Sequence, residues 1–218
     1  MNAPFLHILK NQHCWLSPDR CIYWEEEKTL IVSDLHFGKT GHFRKSGIAV
    51  PAQVFKEDLQ RLLNQLQHFQ PAALIAVGDL FHSAANKELD LFKKWRNDFN
   101  DLQFHLVKGN HDILSAAWYN EMNIKVHTGT LEIKPFAFCH DCETIDPKTS
   151  TYTFSGHLHP GVRINGSGRQ SLQFPCFYFT KNYCVLPAFS RFTGLALINA
   201  TENENVFAIV GNKIVQLQ

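Results

Sequence analysis

Five short polar clusters, each following an apolar run, contain the residues of this chain best suited to chemistry. They are Asp34-Leu35-His36, Gly78-Asp79, Gly109-Asn110-His111-Asp112, His140 and Gly156-His157-Leu158-His159. Their carboxylate, amide and imidazole groups are the donors used by sites for two divalent cations about 3.5 to 4 Å apart. Such a pair, sharing one anionic bridge, clamps the attacking and leaving oxygens of an in-line phosphoryl displacement. The residue types therefore predict hydrolysis of phosphate esters.

Each cluster taken alone is weak evidence. An Asp-x-His triplet is more often part of a turn, a lone histidine such as His140 fits a core or a surface equally well, and the glycines can be ordinary turn residues. The joint pattern is stronger, because open α/β sheets assemble ligand sites at the carboxyl ends of their strands. On this interpretation Asp34 and His36, two residues apart, point to the same side of a strand end and bind one ion. The glycines let the backbone approach an ion closely.

The elements that must position these clusters alternate between strands and helices in the first half of the chain. Residues 20–36 predict a strand, a charged turn and a second strand ending at Asp34, and apolar runs at 72–77 and 104–107 deliver the next two clusters. Apolar residues at helical spacing predict helices over 51–68 and 86–99. Two β-α-β units with parallel strands follow from this order.

The second half has short apolar or alternating runs with few helical patterns between them. These runs lie at 136–139, 152–154, 185–189, 195–198, 206–210 and 213–217. They predict a second, more antiparallel sheet packed on the first.

Composition is typical of a globular protein with one domain, which we expect to span residues 1–218. No apolar stretch approaches the roughly 18 to 20 residues of a membrane span, and the first residues lack the pattern of a secretion signal. We therefore expect a cytoplasmic protein whose six cysteines are reduced thiols. A net charge of +1 argues against a surface that binds polyanions over its whole area, so any contact with nucleic acid should be local.

The order and spacing of the clusters over residues 34–159 resemble the calcineurin-like metallophosphoesterase superfamily. Segments 34–39, 43–51 and 186–194 are similar to the ligase-associated DNA damage response endonuclease family of the PdeM type. The resemblance implies an α/β fold, a four-layer αββα sandwich of two mixed sheets flanked by helices.

The resemblance also implies a set of metal ligands in which Asp79 bridges two ions. One ion would be bound by Asp34, His36, Asp79 and His159, and the other by Asp79, Asn110, His140 and His157. Family members commonly use manganese. Independently of the family, imidazole and oxygen ligands without sulfur suit manganese, iron or zinc and are too rich in nitrogen for magnesium alone.

Our mechanistic hypothesis is attack on phosphorus by a hydroxide that bridges the two metals. His111 is the candidate acid that protonates the leaving alkoxide. Arg44, with Lys39 and Lys45 near it in sequence, is the candidate to bind a non-bridging phosphate oxygen, because a guanidinium offers a planar fork of donors. Asp112 either orients this region or is an ordinary loop aspartate.

The resemblance implies a phosphodiesterase or endonuclease that acts on DNA in repair, functionally linked to a DNA ligase and a helicase. A small-molecule or lipid-linked phosphoester or pyrophosphate hydrolase, like the UDP-diacylglucosamine hydrolase, is the alternative, although no amphipathic basic helix for a membrane surface is evident. A metal-stabilised interaction module is a third possibility. Cys139 and Cys142 form a C-x-x-C pair whose redox or zinc role is disfavoured, since neither a helix nor a second pair follows. The sequence predicts no oligomeric state.

Overall fold

Two mixed β-sheets face each other in the computed structural model of the chain, which describes residues 3–39, 53–82, 87–145, 150–166 and 170–217. The first sheet has seven strands in chain order: β1 (Phe5–Leu9), β2 (Gln12–Ser17), β3 (Cys21–Trp24), β4 (Thr29–Ser33), β5 (Ala73–Val77), β6 (Gln103–Val107) and β7 (Ile124–His127). Pairing is antiparallel from β1 to β4 and parallel from β4 to β7.

The second sheet is built from the later half of the described residues. Its nine strands are β8 (Leu131–Ile133), β9 (Phe136–Cys139), β10 (Tyr152–Ser155), β11 (Pro160–Asn165), β12 (Ser171–Phe179), β13 (Tyr183–Val185), β14 (Ala196–Leu197), β15 (Asn205–Val210) and β16 (Lys213–Gln216). Most pairs are antiparallel, but β10 is parallel to both β9 and β13, and β11 is parallel to β14. The predicted α/β fold with two mixed sheets is therefore confirmed.

Helices cover the outer face of the first sheet. The described residues form α1 (Gln53–Phe69), α2 (Lys87–Asn97), α3 (Ala116–Glu121) and a 3-10 turn at Cys142–Thr144. Both β4-α1-β5 and β5-α2-β6 are parallel crossovers, as predicted. Helix α3 begins at Ser115, whose hydroxyl accepts a hydrogen bond from the Trp118 amide.

Alternate residues of the parallel strands fill two separate cores. Leu30 and Val32 of β4 pack under the helices, in the cluster that holds Phe92 of α2. Ile31 points to the other side and packs with Phe154 of the second sheet. Because the central strands are buried on both faces, their sequences are continuous apolar runs, which is why they could be predicted.

Several strands were not predicted. The hairpin β1–β2 adds two strands to the first sheet, and β7, β8 and β11 also went unrecognised. The predicted run at 185–189 is wrong beyond Val185, where β13 ends. There the backbone bonds to two different strands instead of forming one ladder: the Leu186 amide donates to the Ser155 carbonyl and the Phe189 amide to the Ser33 carbonyl, each at 2.8 Å.

Candidate metal centre

Every predicted cluster lies just beyond the carboxyl end of a strand. Asp34, Asp79 and Asn110 follow the parallel strands β4, β5 and β6 of the first sheet. His140 and His157 follow β9 and β10 of the second sheet, which are parallel to each other. The structure brings all five clusters to one edge of the sandwich, so that the seven predicted ligands come from both layers.

Five of those ligands have a left-handed backbone conformation. The φ angles are 49° at Asp34, 49° at His36, 45° at Asp79, 66° at His157 and 52° at His159. Positive φ is uncommon outside glycine, although aspartate and histidine tolerate it better than most residues, and such strained positions concentrate at functional sites. Asp34 and His36 thus share a site through successive left-handed turns beyond β4, rather than through the alternation of an extended strand as predicted.

One group of ligand atoms is formed by Asp34, His36 and His159. The Nε2 atoms of His36 and His159 are 3.3 Å apart, and Asp34 Oδ1 lies 3.5 Å from His159 Nε2. The other Asp34 oxygen accepts the His157 amide at 3.0 Å, which fixes the carboxylate. Desolvation by burial lowers the pKa of His36 to about 2, so this imidazole is neutral, the form that binds metals.

A second group is formed by Asp79, His140 and His157. His140 Nε2 lies 3.1 Å from His157 Nδ1, 3.5 Å from Asp79 Oδ1 and 3.0 Å from the amide oxygen of Asn110. One ring nitrogen carries at most one hydrogen, which cannot serve three partners well. A cation shared by these groups would relieve the conflict, so the donor set fits a metal.

Asp79 lies between the two groups. Its Oδ1 faces His140, and its Oδ2 lies 4.0 Å from His36 Nδ1. Asp34 and Asp79 are 0% and 2% exposed, and among the described residues the buried atoms Asp34 Oδ1 and His36 Nδ1 have no hydrogen-bond partner. Since buried carboxylates are costly unless they are paired or bind metals, these groups also fit bound cations.

Three glycines leave room for the ligand side chains. A Cβ atom added to Gly78 would lie 1.8 Å from His140 Nδ1, and one added to Gly109 would lie 2.2 Å from Asp79 Oδ1. At Gly156 it would lie 2.5 Å from Asp34 Oδ2. Close approach between the backbone and the predicted ligand side chains therefore favours glycine at all three positions, and at Gly78 the φ of +80° favours it as well.

His111 lies at the open side of the site. Its amide donates to Asp79 Oδ1 at 3.0 Å, its Nε2 is 4.0 Å from Asp79 Oδ2, and 43% of its side chain is exposed. The next residue, Asp112, is buried and accepts the amides of Phe81 (3.0 Å) and Gly109 (2.9 Å). Asp112 therefore orients this loop against the end of β5, the first of the two alternatives that the sequence left open.

A profile of the family described as "Calcineurin-like phosphoesterase" matches residues 27–175, which is more than half of the chain and includes every predicted ligand. The chain belongs to this family. It is therefore a metal-dependent phosphoesterase, and its His/Asp groups are candidate sites for divalent metals.

Two solved structures are similar to this calcineurin-like phosphoesterase. The Pseudomonas putida nuclease MPE is 28% identical, with a TM-score of 0.83 over 98% of this chain and 100% of that one. The Escherichia coli phosphoesterase Yfce is 13% identical, with a TM-score of 0.46 over 87% of this chain and 97% of that one. A search of curated proteins found no significant match.

Other candidate residues of this phosphoesterase fall into two classes. Arg44 and Lys45 lie outside the described residues. Cys139 and Cys142 are free thiols whose pKa is raised by burial, that of Cys139 to about 11, and this makes a reactive thiolate unfavourable.

Sequence reasoning missed the polar groups behind Asp34. The Ser33 hydroxyl donates to the Pro187 carbonyl at 3.2 Å, and the Ser190 amide donates to the Asp34 carbonyl at 3.2 Å. The only signal for this contact was the family resemblance of segment 186–194, because residues 33 and 187 are far apart in sequence.

Proposed function

We propose that this phosphoesterase is a phosphodiesterase with a dinuclear metal centre, acting on DNA as an endonuclease in repair. The observation that carries the proposal is the placement of Asp79, with one carboxylate oxygen toward each group of ligands. A carboxylate in that position is suited to bridge two cations and to keep them close enough for one phosphate.

The residues would divide between the two cations as the family resemblance implies. Asp34, His36 and His159 would hold one, Asn110, His140 and His157 the other, and Asp79 both. Bound there, the cations would polarise a phosphoryl oxygen and lower the pKa of water. We propose manganese, with iron or zinc as substitutes, since the ligands are imidazoles and oxygens.

The protein's own groups account for orientation and proton transfer. The amide bond from His111 to Asp79 fixes the loop that carries the imidazole, and the exposed ring can reach a leaving oxygen and donate a proton to it. Asn110 adds an oxygen ligand without adding negative charge, which keeps the site attractive to phosphate. Arg44 remains the proposed contact to a non-bridging phosphate oxygen.

The choice of DNA rests on likeness. The Pseudomonas putida protein, similar over nearly the whole of both chains, is described as a nuclease, and flanking segments of this chain resemble the PdeM family. A functional link to a DNA ligase and helicase and a cytoplasmic location are parts of the same proposal. Among the described residues, none of the helices has the length and apolar character needed to cross a membrane.

The test uses the full chain stripped of metal and reloaded with Mn²⁺. We expect cleavage of bis-p-nitrophenyl phosphate and nicking of plasmid DNA, with weaker hydrolysis of p-nitrophenyl phosphate. Asp79→Asn should bind fewer than two equivalents of metal and lose activity on all three, because the amide carries no negative charge and offers one oxygen instead of two. Failure to cleave either aryl ester would refute the proposed phosphodiesterase activity. Cleavage of an aryl ester while the plasmid stays intact would refute the proposed activity on DNA.

A second variant isolates the proposed proton donor. His111→Ala should keep both metals but lose about 10²- to 10⁴-fold in turnover on DNA, whose leaving alkoxide needs a proton. Nitrophenolate leaves readily without one, so bis-p-nitrophenyl phosphate should suffer less. His68→Ala, at an exposed position at the end of α1, is the matched control. Equal losses on both substrates would rule out the acid role.

A further inference from the structure

The segment 186–194 passes directly behind the metal ligand Asp34. Its Phe189 amide donates to the Ser33 carbonyl at 2.8 Å, and its Ser190 amide donates to the Asp34 carbonyl at 3.2 Å. The backbone of this segment is therefore joined to the metal edge of the sandwich.

Two arginines hold the same segment from the other side. The Arg20 guanidinium donates to the carbonyls of Ala188 (3.1 Å) and Ser190 (2.8 Å). The buried Arg61 donates to the Phe189 carbonyl and lies 4.2 Å above the Phe189 ring. Five carbonyl and amide groups in three consecutive residues are thus bonded, so the segment is rigid at the point where it leaves Asp34.

A buried carboxylate extends this fixation to Arg191. Asp58 pairs with Arg61 at 3.0 Å. Burial raises the pKa of the Asp58 carboxyl, and Arg61, the Ser190 side chain and the Arg191 backbone oppose this rise, so Arg191 begins beside a buried carboxylate. The backbone is therefore fixed up to Ser190, the residue before Arg191, while the Arg191 side chain is exposed. An exposed guanidinium on a rigid backbone is pre-organised to bind an anion, because little backbone entropy remains to be lost on binding.

Next to this point is a cavity of about 310 Å³, lined by Lys39, Arg191, Phe192, Thr193 and Gly194. Among the described residues, the two ionisable ones that line the cavity are both cations, and none is a carboxylate. The Lys39 amide donates to the carbonyl of His36 at 3.1 Å, so Lys39 connects the cavity to the metal centre. The charges of Asp79 and Asp34 act on its ammonium group and oppose the lowering of its pKa by burial.

We propose that this cavity binds a second phosphate of the substrate, the one next to the scissile phosphodiester in a nucleic-acid strand. The inference rests on the proposed function and deepens it. Arg191 would bind the phosphate through its planar fork of donors, and Lys39 would act as a point charge between the two phosphates. The volume is at the lower end of the roughly 300 to 1,000 Å³ of ligand pockets, which suits a phosphate with its sugar.

The experiment compares substrates that share one scissile bond and differ only in flanking phosphates. Thymidylyl-thymidine has a single phosphodiester, and its form phosphorylated at both the 5′ and 3′ ends adds a phosphate on each side. With the Mn²⁺-loaded full chain we expect the KM of the phosphorylated form to be at least tenfold lower. One charge-assisted hydrogen bond to the added phosphate is enough to account for a change of this size.

Arg191→Ala should remove most of this preference by raising the KM of the phosphorylated dinucleotide about tenfold, and Arg191→Lys should restore part of it. On single-stranded DNA the slope of log KM against log salt should fall by about 0.7 for one lost phosphate contact. Arg163→Ala, an exposed arginine on β11, is the matched control and should leave both substrates unaffected. Thermal unfolding checks that all variants fold.

Three outcomes would overturn the inference, and they differ from failure of the proposed function. The first is equal KM values for the two dinucleotides in the wild type, and the second is an equal loss on both substrates in Arg191→Ala. The third is a larger loss in that variant on a nucleoside diphosphate sugar than on the phosphorylated dinucleotide, which would assign the cavity to a pyrophosphate. If bis-p-nitrophenyl phosphate is still cleaved, only this inference fails.

Discussion

Replacing Gly78 by alanine tests whether close packing of the backbone against a ligand shapes the metal centre. The added Cβ would lie 1.8 Å from Nδ1 and 2.4 Å from Cγ of His140, far inside contact distance. An alanine at positive φ costs about 1–2 kcal/mol, and forcing a packed side chain aside costs about 1–3 kcal/mol. We expect the free energy of unfolding without metal to fall by about 2–5 kcal/mol in total.

Two other glycines separate the cost of alanine at positive φ from the cost of the steric clash with His140. Gly78 has a φ of +80°, between the +58° of Gly211 and the +102° of Gly129, and a Cβ at either of those positions meets nothing within 4 Å. Gly211→Ala and Gly129→Ala should therefore show the backbone cost alone, about 1–2 kcal/mol.

Metal content distinguishes the variants further, because the displaced His140 is a proposed ligand. Urea unfolding of the metal-free protein measures the free energy of unfolding, and elemental analysis after reloading with Mn²⁺ measures the metal content. Gly78→Ala should bind the second metal equivalent at least tenfold more weakly, whereas the two control variants should bind both. Full metal binding by Gly78→Ala, with a stability no lower than the controls, would refute the packing argument.

Two further predictions concern stability away from the metal centre. The buried Arg96 of α2 donates to the carbonyls of Phe99, Leu102, Met122 and Asn123, so Arg96→Met should lower the free energy of unfolding by about 3–5 kcal/mol in urea. His105 and His127 have ring nitrogens 3.0 Å apart, and burial is the main cause that lowers the pKa of both. The stability that this pair contributes is fully present above the pKa of about 6.5 in the unfolded chain. It is lost as the pH falls through the lower pKa values of the folded protein.

Each of these predictions has its own check. Lys94→Met, an exposed change on the same helix as Arg96, should stay within about 0.5 kcal/mol of the wild type, and a similar effect of both changes would contradict the role of Arg96. For the histidine pair, the unfolding midpoint of His105→Phe should depend less on pH between about 7 and 5 than that of the wild type. An unchanged slope would show that the pair does not titrate on unfolding.

The delivery of ligands by strand ends could be predicted from the sequence because it depends on local pattern. Buried parallel strands such as β5 are continuous apolar runs, and the polar cluster after each run marks its end. Proximity of Asp34 to His159 could not be obtained in this way. It followed from the family resemblance, since no periodicity relates residues 125 positions apart.

The features that escaped prediction lack a local signal. The edge strand β1 has the sequence Phe-Leu-His-Ile-Leu, and its residues alternate between half-buried and exposed. The sequence itself does not alternate between apolar and polar residues, so it gives no sign of a strand. Helix α3 has six residues, too few for a helical period to emerge. The left-handed backbone at five predicted ligands could not be foreseen, because aspartate and histidine rather than glycine occupy those positions. Arg20 and Arg61 bond to carbonyls more than 120 residues away.

The contribution of both sheets to one group of ligands has a mechanical consequence. Asp34 and His36 extend from the first sheet, and His159 from the second. An ion bound by all three would therefore cross-link the two sheets at the edge that carries the metal centre. Ions that bind only the folded chain add to its stability in proportion to the logarithm of their concentration. Chelation would then loosen the layers at that edge first and expose the ends of β4 and β10 to hydrogen exchange, so that catalytic competence and the cohesion of the two sheets would depend on the same ions.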